Sequence, residues 1–454
     1  MKKTRNTKGI LEALLVVGLI LIIPLFFVFR TKANAPAAPN TAVPAGMPVP
    51  TAANAPEESN ALKPKQPPAC TFPLAQTTTA ESTPEEYTFS EPQVVLSAKF
   101  GSPYEIVEWL PDNQQVLMTE DSDNIEMGKP RLQSIELYNS ATGELKVYAV
   151  RTYADGLPSW HPELNAIVYP SMNFMGIDKN THHPIFTRQL WVSYGDPNTV
   201  QMLTDNMSQF PIAIKPDGSE MFYLADKKIS KLDKSLKKLS SALFDPAQWD
   251  YGKGRRNKEP IFYEMAWQPN TSLVFLYSNG SGLQMGGYTF ILDTNTGQVC
   301  ELDFGGWARK ALWSSDGHYL AIIRGTEYTS PVSVLDMAVL DTVTGELHTI
   351  GVIPYAVEGK RYVYDFAWAP DNRHLLAVGT ATSQNNQNNN DTYELHELYL
   401  VDFMTGQSVS ILPEYSKFFS TNLVWSSDGT KLAVSCPING ADRLCLISVH
   451  TSGN

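Results

Sequence analysis

The sequence predicts an all-β protein: a seven-bladed β-propeller of four-stranded antiparallel blades, behind an N-terminal transmembrane helix and a disordered linker. Three observations carry the prediction. A segment of common pattern recurs seven times, as in "VEWLPDNQQVLM" from Val107, "PSWHPELNAIVY" from Pro158, "ALWSSDGHYLAI" from Ala311 and "LVWSSDGTKLAV" from Leu423. Its anchors are Trp109, Trp160, Ile214, Trp267, Trp313, Trp368 and Trp425, between 46 and 57 residues apart. A fixed period of that size, built only of short strands, marks propeller blades. Ahead of the repeats stand an uncharged run of 17 residues, Ala13 to Phe29, and a stretch of Ala, Pro and Thr that ends near Glu86.

Each repeat divides into four strands. The first carries the Trp and runs into a tight turn such as Pro216-Asp217-Gly218 or Ser315-Asp316-Gly317. Asp bonds its own backbone there and Gly reaches positive φ without strain. An apolar second strand follows, then a third that ends in a turn such as Asp293 to Gly297, Asp341 to Gly345 or Asp402 to Gly406. A more polar fourth strand closes the unit. One such sheet cannot cover both its faces, so neighbouring sheets pack around an axis with the Trp as a wedge between them. Ile214 keeps bulk and loses the ring, which fits packing better than stacking on a ligand. The last repeat is short by one strand, and Gln93 to Ala98 supplies a spare one that closes the last blade and leaves no open edge.

The front of the chain divides into a basic tail (1–9), a signal-anchor helix (10–29) and a linker (30–86), ahead of the propeller at 87–454. A run of this length just spans the ~30 Å hydrocarbon layer at ~1.5 Å per residue. Four basic residues before it outweigh Arg30 and Lys32 after it, which keeps the N-terminus inside and the propeller extracytoplasmic, at the cell surface or in the periplasm. Secretion after cleavage is the alternative. Residues 1–70 hold eight Lys/Arg and three Asp/Glu, leaving 27 basic and 44 acidic residues beyond them. That acidic balance speaks against nucleic acid as a partner and leaves the N-terminal helix as the only membrane contact.

The stretch from Met202 to Asp226, "MLTDNMSQFPIAIKPDGSEMFYLAD", together with "ALWSSDGHYLAIIRG" and "LVWSSDGTKLAVSC", resembles the TolB-type, WD-repeat-like propeller family. The resemblance covers roughly 93–450. It implies an extracytoplasmic binding platform. Related propellers stand in front of peptidase domains, and no such domain is expected here.

No pattern names a reaction. The eight His have no zinc-site spacing, no nucleophile elbow or phosphate loop occurs, and neither a cofactor nor a metal is implied. Function is therefore expected on the long connections after the second and fourth strands, on one side of a rigid scaffold. The aromatics placed there are Trp249, Tyr251, Tyr328, Tyr355, Tyr362 and Tyr364. Glu105, Glu264, Lys310, Asp365 and Asn422 fall at the starts of first strands on the same side, where they ring the channel mouth; ordinary solvated strand ends are the competing reading. Cys436 and Cys445 flank an eight-residue loop and face each other across a hairpin, a disulfide candidate. For Cys70 and Cys300 a linker-to-blade bridge stays open. The expected function is a binding or scaffold module for a protein or polysaccharide of the cell envelope. The alternative is an extracellular polymer-degrading hydrolase or lyase working from the same face.

Overall fold

The computed structural model describes residues 67–74, 86–98, 104–121, 131–152, 156–179, 184–225, 228–244, 261–279, 288–304, 307–325, 335–350, 363–385, 392–418, 422–436 and 443–452. Every described residue belongs to one compact unit, Leu62–Asn454. The expected span at 10–29 lies outside the described residues; among them no helix is long and apolar enough to cross a membrane.

The strands form antiparallel sheets in which sequence neighbours pair, as the turn signals require. Four sheets have four strands each, over 105–152, 261–302, 307–350 and 363–411. A fifth joins Leu423–Trp425, Lys431–Ser435 and Arg443–Thr451 to two N-terminal strands, Tyr87–Phe89 and Gln93–Ser97, both paired with Arg443–Thr451. The short turns are built as their composition dictates. Asp316 Oδ1 accepts the His318 N–H at 3.0 Å and Asp428 Oδ1 the Thr430 N–H at 3.0 Å.

Seven separate blades are not what forms. Five sheets have the blade form, and the second and third repeats share one seven-stranded sheet. The reason is the strand Val200–Ile214, which pairs with Pro184–Ser193 through its first part and with Glu220–Ala225 through its last. Elsewhere the last strand of a repeat and the first of the next are separate strands. Here the backbone stays extended between Thr204 and Ile212, with bulges but no break, so the two ladders are continuous.

Sheets abut through their innermost strands. The Trp109 indole donates to the Val424 carbonyl at 3.3 Å, Trp313 to Ala266 at 3.1 Å and Trp368 to Leu312 at 2.9 Å. The first of these bonds joins the last repeat to the first. Trp267 and Trp425 instead cap their own turns, on Thr271 O and Gly429 O. All five of these Trp residues lie among the apolar clusters between sheets, where a large aromatic surface leaves water. Asn113 and Asn372, both at positive φ, add a second set of ties. Each side-chain carbonyl accepts the N–H and hydroxyl of a serine in a neighbouring turn, Ser427 and Ser315 respectively, at 2.8–2.9 Å.

Composition placed all of 30–86 in a disordered linker, and part of it is ordered. Residues 67–74 lie along the strand Val299–Leu302, with a parallel bridge between Ala69 and Glu301 and a disulfide between Cys70 and Cys300. Cys70, Phe72 and Leu74 alternate into the apolar cluster around Phe275, Phe304 and Trp313, which supplies the burial that the linker composition lacks.

Candidate functional site

The innermost strands carry the charged residues, and a recurrent irregularity lies beside them. Register shifts fall between Ile106 and Glu108, Phe262 and Glu264, Ala308 and Lys310, and Val363 and Asp365. Each leaves one extra residue on the inner strand, a bulge that twists the strand and redirects its side chains. With the bulges in place, Glu105 stands opposite Thr119, Glu264 opposite Tyr277, Lys310 opposite Ile323 and Asp365 opposite Val378. Counted along the second strand from the residue that pairs with the Trp, all four positions are the same. Asn422 joins them, because its carbonyl accepts the Ser435 N–H at the matching place. Five of the charged or polar residues expected at the strand starts therefore share one level of the propeller.

Two of these residues are joined to each other and to a third sheet. The Lys310 ammonium meets Asp365 Oδ1 and also donates to the Phe366 carbonyl at 3.2 Å. Asp365 is buried, at 5% exposure. Its Oδ1 also accepts the Phe366 N–H at 2.8 Å, and its Oδ2 accepts the Leu423 N–H of the next sheet at 2.9 Å. Glu264 accepts the Ala311 N–H, likewise from the next sheet.

Burial pushes the Glu264 carboxyl up to about 7; Lys310 and the Ala311 N–H work against that rise, and the negative charge of Asp365 adds to it. Burial also lifts Glu105, opposed by Arg151 and reinforced by Asp121 and Asp365. Asp365 thus acts on Glu105 and Glu264 alike, so the three carboxylates are within electrostatic reach of one another. Chemically the level offers acceptor oxygens and a net negative charge. Every acceptor oxygen of Asp365 is already engaged by a donor of the propeller itself, which suits holding the scaffold better than abstracting a proton.

Glu108 was not among the residues expected from the sequence. Its Oε1 accepts the Trp160 N–H at 2.7 Å, and burial pushes its carboxyl up to about 7 against that bond. The signal was present. The residue before the anchor is Ser159, Ala213, Ala266, Leu312, Ala367 or Val424 in the other repeats, and a carboxylate only here.

Of the expected aromatics, Tyr364 is the extra residue of its bulge, on the strand Val363–Trp368 rather than on a loop. It is half-buried against the cluster around Trp425, with its ring centroid 4.6 Å from that of His396. Trp249, Tyr251, Tyr328, Tyr355 and Tyr362 lie outside the described residues. Cys436 and Cys445 are joined as a disulfide, both fully buried. Among the described residues no group of three or more His, Cys, Asp or Glu is placed to hold a metal.

No family model and no curated protein matches the sequence. Solved structures similar to it include TolB from Acinetobacter baumannii, at 12% identity over 74% of this chain and 80% of that one, TM-score 0.36. The β-propeller domain of the Trilobed protease from Pyrococcus furiosus, described as having an open velcro topology, is 11% identical over 79% and 95%, TM-score 0.46. A chain of the Mitotic Checkpoint Complex is 14% identical over 65% and 78%, TM-score 0.40. At these scores the likenesses carry no activity or partner across. By its sequence repeat and its own sheets, this chain has a β-propeller-type fold.

Proposed function

We propose that the protein is a membrane-anchored, extracytoplasmic binding module that engages a protein or polysaccharide of the cell envelope at the polar level of its inner strands. The observation that supports this is the convergence of Glu105, Glu264, Lys310, Asp365 and Asn422 on that level, with a bulge on the inner strand beside each of the first four. Bulges disrupt the ladder locally, and they are over-represented next to functional sites. With Asp365 engaged by Lys310 and by two backbone N–H groups, the carboxyls of Glu105 and Glu264 are the ones that favour a partner presenting a cationic group, an amine or a guanidinium. The membrane-anchored, extracytoplasmic setting rests on the apolar run at 13–29 and the basic residues before it.

The experiment is capture from detergent-solubilised membranes with the full chain as bait, comparing wild type with Glu264→Gln and Glu105→Gln. Gln keeps an acceptor oxygen and removes the charge. A specific partner that is retained by wild type, weakened by both variants and released by raised salt supports the reading. A partner held equally by all three overturns it. Protease applied to intact cells stripped of their wall tests the setting: the propeller is digested if it is outside and spared if it is not.

A further inference from the structure

The closure strands Tyr87–Phe89 and Gln93–Ser97 are held from two directions. Beyond Ser97 the chain continues into the first sheet at Glu105–Trp109. Before Tyr87 it is fastened at residues 67–74, away from the sheet that the closure strands complete. Cys70 is bonded to Cys300 across a sequence separation of 230. The Cys70 N–H donates to Glu301 O at 3.0 Å, the Glu301 N–H to Pro68 O at 2.8 Å and the Leu74 N–H to Thr342 O at 2.9 Å. These bonds cross from the 261–302 sheet to the 307–350 sheet. The Phe72 ring lies over Gly345, where a Cβ would meet it at 2.6 Å.

This arrangement changes what opening the closure entails. A strand at the free end of a chain frays at little cost, because the released tail gains conformational freedom. A strand tied at both ends gains much less, since its release opens only a loop between fixed points. Cys70 and Cys300 are half-buried, whereas Cys436 and Cys445 are fully buried in the hairpin against which the closure strands pair. A reductant from solvent therefore meets the first disulfide more readily than the second.

We propose that the Cys70–Cys300 disulfide is a redox-addressable latch on the closure of the propeller. A small dithiol in solution supplies two electrons and two protons and becomes a disulfide. The Cys70–Cys300 S–S bond breaks, and two thiols form. The closure strands then lose their fastening before Tyr87 and open from that end, while the Cys436–Cys445 hairpin stays intact.

The test is hydrogen–deuterium exchange on the full-length oxidised protein, with and without dithiothreitol, alongside alkylation to show which thiols have formed. The expected result is label on Cys70 and Cys300 alone, with exchange over 87–97 faster by about tenfold or more and exchange over 132–139 unchanged. The double variant Cys70→Ser, Cys300→Ser gives the same exchange pattern without reductant; if it does not fold, the native protein with dithiothreitol decides. Faster exchange confined to 67–74, with 87–97 still protected, overturns the latch. So does simultaneous labelling of all four cysteines.

Discussion

Lys310 and Asp365 meet across the boundary between two neighbouring sheets, each at the residue that follows the extra residue of a bulge. The pair is unequal. Asp365 is buried and bound by two backbone N–H groups as well, while Lys310 keeps 27% of its side chain exposed. Removing the carboxylate therefore strands more groups than removing the ammonium. Asp365→Ala is expected to cost about 2–4 kcal/mol of stability and Lys310→Met about 1–2 kcal/mol. Denaturant midpoints of the two variants check the order; a larger loss from Lys310→Met would make the ion pair, not the backbone bonds, the main role of Asp365.

Acidity separates the glutamates from His161. Glu108 and Glu264 have carboxyls raised from 4.5 to about 7 by burial. A raised folded-state value means their contribution is fully present below 4.5 and is lost as the pH climbs through 7. The part of the stability profile that declines between about pH 4.5 and 7 should flatten in the Glu108→Gln, Glu264→Gln double variant. An unchanged slope in that variant would show that these groups are not its source.

His161 pulls the other way. It is fully buried, burial lowers its imidazole below 6.5, and neither ring nitrogen reaches a partner outside its own residue among the described residues. Its contribution is present above 6.5 and is lost as the pH falls. The residue at the same place in the fourth repeat, Gln268, donates to the Gly317 carbonyl at 2.6 Å. His161→Gln should therefore gain stability relative to wild type at pH 5 and show little difference at pH 8, measured by thermal melts at both.

Much of this was legible in the sequence, and the reasons are local. The turn residues and Trp anchors announce themselves because their chemistry is dictated within a few positions, as at Asp316-Gly317 and Trp313. The bulges were hidden, since an extra Tyr263 or Arg309 does not disturb the apolar pattern of the strand beside it. That is why Glu105, four residues before its Trp, and Glu264, three before its own, reach one level only in the structure. The merging of the second and third repeats was hidden for a related reason. Asp205 to Pro211 looks like a connection by composition, and neighbouring strands hold it extended. The Cys70–Cys300 bond depends on contacts 230 residues apart, which no local pattern encodes.

The asparagine ties at positive φ make a separate prediction. Asn113 holds φ at 52° and binds Ser427 twice. Asn113→Ala loses both the bonds and the backbone tolerance, for about 1–3 kcal/mol; Asn113→Gly loses the bonds alone and should cost less. Equal losses from the two variants would assign the effect wholly to the bonds with Ser427.

The central claim is that the polar level of the inner strands is the binding surface, and its most direct measurement is the affinity of an identified partner for the Glu105→Gln, Glu264→Gln double variant. Melting curves run alongside show that the fold is intact. Loss of two charges should weaken binding by about 1–3 kcal/mol and reduce its salt dependence, with the melting temperature changed little. Wild-type affinity and salt dependence in a folded double variant would contradict the claim and leave the level as part of the scaffold.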